Sequence, residues 1–72
     1  MIQTTKVQKL GQLIRNTRKQ QGLTQQQLAA FSGSGVRFIR ELEQGKESCH
    51  IGKALTVLAM LGLIIQVDGE PL

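Results

Sequence analysis

Leu23-Thr24-Gln25-Gln26-Gln27-Leu28-Ala29-Ala30-Phe31-Ser32-Gly33-Ser34-Gly35-Val36-Arg37-Phe38-Ile39-Arg40-Glu41-Leu42-Glu43-Gln44-Gly45 is the stretch on which the fold turns. Thr24 stands as an N-cap and Gln27 is the third helical residue after it, the spacing of a capping box. Leu23, before the cap, and Leu28, at the fourth helical position, are spaced for a hydrophobic staple. Four residues therefore agree on one helix start. Ser32-Gly33-Ser34-Gly35 breaks that helix about two turns later. A second short helix, from Gly35 to Gln44, turns Ile39 and Leu42 inward at a spacing of three, and Gly45 stops it.

Two short helices crossing at about 90–120° around a tight turn make three demands. A small residue is needed where they cross, and Ala29 supplies it. The turn needs a residue that accepts positive φ, and Gly33 is that residue. The second helix needs inward apolar anchors, Ile39 and Leu42. Its outward positions are then Gly35, Val36, Arg37, Arg40 and Glu41.

Upstream, Val7, Leu10, Ile14 and Thr17 recur at three- and four-residue spacing, with Leu13 beside them and Lys9, Gln12, Arg15, Asn16 and Lys19 mostly opposite. This predicts an amphipathic helix over 6–21, with Thr5 as its cap and Gly22 past its end. Downstream, Ile51, Ala54, Leu55, Leu58 and Leu61 predict a fourth helix from His50 to Leu61, ended by Gly62. The period then changes: Leu63, Ile65 and Val67 alternate with Ile64, Gln66 and Asp68, the pattern of a strand, and Gly69 to Leu72 read as a turn or tail.

With 72 residues and a formal charge of +4, the chain is one basic domain near the lower limit for folding alone. Oligomerisation is one way to stabilise such a domain. Cys49 has no second cysteine to pair with, which excludes a disulfide framework and suits a reducing compartment. Tryptophan and tyrosine are absent and only Phe31 and Phe38 are aromatic, which argues against single-stranded binders built on stacking platforms. Positive charge without stacking surfaces points to duplex nucleic acid. No run is apolar for long enough to span a bilayer, since Leu61 to Ile65 is interrupted by Gly62. Met1 to Lys6 lack the apolar segment of a secretory leader, so the expected location is cytoplasmic.

The pattern L-T-Q-x-x-L-A at Leu23, then G, then I-x-x-L-E-x-G ending at Gly45, resembles the helix-turn-helix of the phage-repressor (Cro/C1, XRE-type) family. L-G-Q-L-I-R from Leu10, L-E-Q-G-K from Leu42 and I-G-K-A-L-x-V-L-x-x-L-G-L from Ile51 resemble the HipB-type antitoxins more particularly. In those proteins a strand, not a fifth helix, follows the domain. The resemblance implies an all-α, four-helix lambda-repressor-like domain over 1–62 and a C-terminal dimerising β-strand and tail over 63–72.

Carried over by position, the resemblance implies that Gln25 contacts phosphate and that Arg37 and Arg40 enter the major groove, with Val36 against a thymine methyl. Ser34, Gly35, Glu41 and Lys46 complete the expected DNA surface. Chemistry agrees independently: arginine makes bidentate bonds to guanine O6 and N7, and helix N-termini attract phosphate. Arg37 has the alternative of serving phosphate. The resemblance also implies a structural ion pair between Arg18 and Glu43. Two positions depart from the family pattern: Ser32 is usually apolar, and Gly35 brings no side chain where many relatives read a base.

Lys6, Lys9, Arg15 and Lys19 read as a solvated helix face, the alternative being a contribution to the attraction of DNA. Cys49 and His50 are adjacent, and adjacent residues rarely chelate one ion, so no metal, cofactor or catalytic role is expected. Ser32 to Gly35 lack the preceding strand and following Lys-Ser/Thr of a phosphate-binding loop. The terminal strand, with Leu63, Ile65 and Val67 on one face, has no pairing partner inside a helical domain, and a bare apolar edge is hazardous. The same strand of a second subunit is the expected partner, the alternative being a disordered tail. The expectation is a dimeric, non-enzymatic repressor of a palindromic operator. The subfamily resemblance implies an antitoxin that also binds a HipA-like kinase toxin; a stand-alone phage-type repressor is the alternative.

Overall fold

The computed structural model describes residues 5–72. Met1 to Thr4, part of the segment read as lacking a leader, lie outside the described residues. The order of elements is α1 (Lys6–Gln20), α2 (Gln25–Ser32), α3 (Val36–Glu43), α4 (Ile51–Met60), β1 (Gln66–Val67) and β2 (Glu70–Pro71).

Local chemistry sets the helix starts. Thr5 Oγ1 accepts the Gln8 N–H at 3.0 Å while Gln8 Oε1 accepts the Thr5 N–H at 2.9 Å. Thr24 and Gln27 repeat the arrangement at α2, with 3.0 and 2.9 Å. Each box satisfies two backbone donors at a helix end. Gly33, in the left-handed region at φ 70°, closes α2 and lets the chain reverse into α3. At α4 the cap is His50, whose Nδ1 accepts the Lys53 N–H at 3.1 Å.

Ile14, Leu28, Ala29, Ile39, Leu42, Ala54, Val57, Leu58 and Leu61 form the core, ringed by half-buried Leu10, Leu23, Val36, Phe38, Cys49, Leu63 and Ile65. Gly11 lies on the face of α1 that meets the end of α3. A Cβ there would stand 2.4 Å from the Leu42 carbonyl oxygen and 2.7 Å from that of Glu43. The absence of a side chain is what lets α1 and α3 approach so closely.

The face of α4 differs from the one predicted. Ala54, Val57, Leu58 and Leu61 face inward, at the i, i+3, i+4, i+7 spacing of one helical stripe. Val57 is fully buried, whereas Ile51 is 75% and Leu55 40% exposed. The stripe begins one turn later than the apolar pattern suggested, leaving the first turn of α4 at the core's edge.

The C-terminal segment corrects a further expectation. The strand predicted across Leu63 to Asp68 is confined to Gln66 and Val67, and its partner lies within the same chain. β1 and β2 pair antiparallel, Gln66 opposite Pro71 and Val67 opposite Glu70. Asp68 and Gly69 form the two-residue connection with φ of 50° and 81°, the pair of positive values a type I′ hairpin needs. The Leu72 N–H extends the ladder to the Ile65 carbonyl at 2.9 Å. Leu63 and Ile65 pack partly on the core, so of the three alternating residues only Val67, 57% exposed, is left largely free.

Candidate nucleic-acid interface

The centre of the site is held by a buried ion cluster. Arg18 Nε donates to Glu43 Oε2 at 2.6 Å and Arg18 Nη2 to Glu43 Oε1 at 3.1 Å, with the two side chains only 8% and 2% exposed. Arg18 Nη1 also donates to the Leu23 carbonyl at 2.8 Å. Gln25 Nε2 donates to Glu43 Oε1 at 3.2 Å. The Glu43 carboxylate therefore ties α1, α2 and α3 together, and the Arg18 guanidinium adds the α1–α2 loop. Forked, charge-assisted hydrogen bonds of this kind are directional, so they fix the orientation of α3 as well as its position.

Gln25, expected on phosphate, turns its amide toward Glu43 and is half-buried. Val36 also sits partly against the core. Ser34 donates its N–H to the Ala29 carbonyl at 3.0 Å, closing the end of α2. The hydroxyl of Ser32, at the usually apolar position, donates to the same carbonyl at 3.3 Å, which satisfies its polarity.

Gly35 is the N-cap of α3 and brings no capping side chain, so no side-chain acceptor covers the first N–H groups of that helix. Ile39, Leu42 and Glu43 face inward while Arg37 and Arg40 are exposed. Arg37 Nε donates to Glu41 Oε1 at 3.1 Å, and Lys46 Nζ lies 3.3 Å from Glu41 Oε2. Lys46, and secondarily Arg37, hold the Glu41 carboxyl below its ordinary pKa. Arg40 forms no ion pair among the described residues.

Beside α3 lies an open groove of about 730 Å³, whose walls include Arg15, Gln26, Val36, Arg40 and Gln44. Gln26 and Gln44 carry no sign of this placement in the sequence, whereas Arg15, read there among the charges of α1, stands on the groove wall. The signal was available for Arg15, which stands three residues before Arg18 and so shares a face of α1 with it. Among the described residues, no three of His, Cys, Asp and Glu cluster where they could hold a metal ion, and no helix is long and apolar enough to cross a membrane.

Comparison with known proteins places this geometry. A family model described as helix-turn-helix matches residues 14–63, more than half of the chain. A curated relative from Sinorhizobium fredii, the "Uncharacterized HTH-type transcriptional regulator y4mF", is 48% identical over 58 residues, which is 81% of this chain and 76% of the relative. Two solved structures, described as "MDT Protein" and "Structure of HipA-HipB-O2-O3 complex", each superpose with a TM-score of 0.79 at 21% identity. Each alignment covers 93% of this chain and 94% of the other, which establishes a shared fold. With the family match spanning the buried ion cluster and the outward face of α3, the chain belongs to the XRE-type helix-turn-helix family of DNA-binding transcriptional regulators.

Proposed function

We propose that the chain is a transcriptional repressor that binds a two-fold operator as a dimer and reads base edges with α3. One observation carries the reading. The buried Arg18–Glu43 pair and the anchors Ile39 and Leu42 fix α3, while Arg37 and Arg40 project from its free side. Arg40 has the free guanidinium a bidentate contact to guanine requires. Lys46, just past α3, is suited to backbone phosphate. Apolar surface on the C-terminal segment favours self-association: Ile64, Val67 and Leu72 are 73%, 57% and 78% exposed.

A binding-site selection on the wild type, Arg37→Ala and Arg40→Ala tests the assignment. Loss of Arg40 is expected to relax preference at a particular base and to cost about 1–3 kcal/mol per half-site. Wild-type preference and affinity in both variants would refute α3 as the reading helix.

The finer reading is an antitoxin that represses its own operon and binds a HipA-like toxin. It is favoured by the near-complete superposition on a structure described as a complex of HipA, HipB and the O2 and O3 elements. Co-purification with the product of an adjacent toxin-like gene tests it; an adjacent gene whose product does not bind supports the stand-alone repressor.

A further inference from the structure

The outward cations around α3 are not equivalent. Arg40 is unpaired among the described residues, whereas Arg37 and Lys46 converge on Glu41, each on a separate carboxylate oxygen at 3.1 and 3.3 Å. Lys46 is held twice, because its backbone N–H also donates to the Glu41 carbonyl at 3.1 Å. Glu41 thus gathers one cation from its own helix and one from the loop beyond it. Arg37–Glu41 is an i,i+4 pair of the kind helix surfaces form, and with the Arg37 side chain 86% exposed it contributes little to stability.

We propose that Glu41 is a specificity-determining residue acting as an internal counter-anion: it occupies Arg37 and Lys46 until a correctly registered duplex replaces both contacts. The proposal rests on the reading of α3 as the DNA-reading helix. Nonspecific binding is driven by cations that neutralise phosphates and release their counterions. Each cation held by Glu41 is withdrawn from that process. The carboxylate also repels phosphate, so a mis-registered duplex meets like charge at the centre of the reading face. On a matched site the base edges and phosphates take over Arg37 and Lys46 together, and the cost of displacing Glu41 is recovered. Arg40, outside this arrangement, remains available to draw in any duplex.

Glu41→Gln keeps the side-chain shape and removes the charge. The test measures binding of wild type and variant to a random-sequence duplex and to the best duplex from a binding-site selection, across a range of salt, with melting curves to verify folding. The proposal expects random-duplex affinity to rise by about two- to fivefold per protomer, the factor matching an exposed ion pair that no longer has to be broken. The random-duplex salt slope should steepen by about 0.9 for each cation freed. Affinity for the selected duplex should rise by the ion-pair factor alone, whereas random-duplex binding is also relieved of the repulsion between the carboxylate and mis-registered phosphate, so discrimination falls. In an Arg37→Ala, Lys46→Ala background, Glu41→Gln should no longer steepen the slope. Loss of selected-duplex affinity with unchanged random binding would overturn the proposal in favour of direct reading, a carboxylate accepting from cytosine N4. Unchanged affinities and slopes would also overturn it. A wild type that binds no duplex would instead overturn the underlying assignment of α3.

Discussion

Replacing Gly11 by alanine sets two opposing contributions against each other. Alanine in a helix interior is favoured over glycine by about 1 kcal/mol, so helix propensity alone predicts a more stable protein. Packing predicts the opposite. The new Cβ would lie 2.4 Å from the Leu42 carbonyl oxygen, and opening that contact to the 3.0 Å that real side chains tolerate separates the backbones by about 0.6 Å. A radial gap of about 0.5–1 Å forfeits a quarter to a half of the dispersion energy of the atoms facing it. Overpacking of this kind costs about 1–3 kcal/mol, occasionally more. The Arg18–Glu43 pair spans the same two helices and must lengthen with them, which places the cost at the upper end. The net loss is therefore about 1–2 kcal/mol, a fall in Tm of about 4–16 °C for a domain this small. Thermal melting followed by circular dichroism reads it directly. Gln12→Gly, on the exposed face of the same helix, is the control and should cost about 1 kcal/mol through propensity alone. A Gly11→Ala protein as stable as wild type would refute the close approach of α1 and α3.

Other expectations follow from the same geometry. Arg18→Met should cost about 3–5 kcal/mol in urea unfolding by leaving Glu43 buried without its partner, and adding Glu43→Leu should recover much of it; a double variant no better than the single would count against the cluster as drawn. His50→Ala should lower stability by about 0.5–2 kcal/mol through loss of the α4 cap, whereas His50→Ser should retain most of it, as read by the same unfolding curves. The Glu41 carboxyl, followed by NMR, should titrate below its ordinary value, and Lys46→Ala should raise the midpoint more than Arg37→Ala. Because that pKa is depressed on folding, its stabilising contribution is present at neutral pH and is lost as pH falls through the folded midpoint. Val67→Asp should shift sedimentation equilibrium toward monomer while helical signal persists, and a fully dimeric variant would place the self-association surface elsewhere.

The features legible in the sequence are those written within a few residues of each other. Thr5 announces the start of α1, Thr24 with Gln27 that of α2, and Ile39 with Leu42 orients α3, because capping and periodicity act over one turn. The hairpin is equally local in its signal: Asp68-Gly69 is a strong two-residue turn signal, but the returning strand is only Glu70 and Pro71, too short to show an alternating pattern. Other features depend on neighbours distant in sequence. Nothing near Gly11 indicates that a carbonyl from α3 will press on it. The inward turn of Gln25 requires Glu43, eighteen positions away. The burial of Val57 over Leu55 depends on where α4 meets α2. The Arg18–Glu43 pair, twenty-five positions apart, was foreseen only through family resemblance.

The neutral glutamines that complete the two capping boxes have a kinetic consequence. Glutamate commonly fills that position and would gain about 0.3–1 kcal/mol from the helix dipole. None of the four helices carries an acidic residue in its first turn. The partial positive charge at the start of each helix is consequently left without an acidic neighbour within that turn. For α2 and α3, whose starts flank the groove, an approaching polyanion meets an attractive field before any side chain touches it. That field reaches about 10 Å at 0.1 M salt and further in dilute buffer. The chain forgoes some helix stability, and if α2 and α3 face the duplex as proposed, encounters should begin from a greater distance.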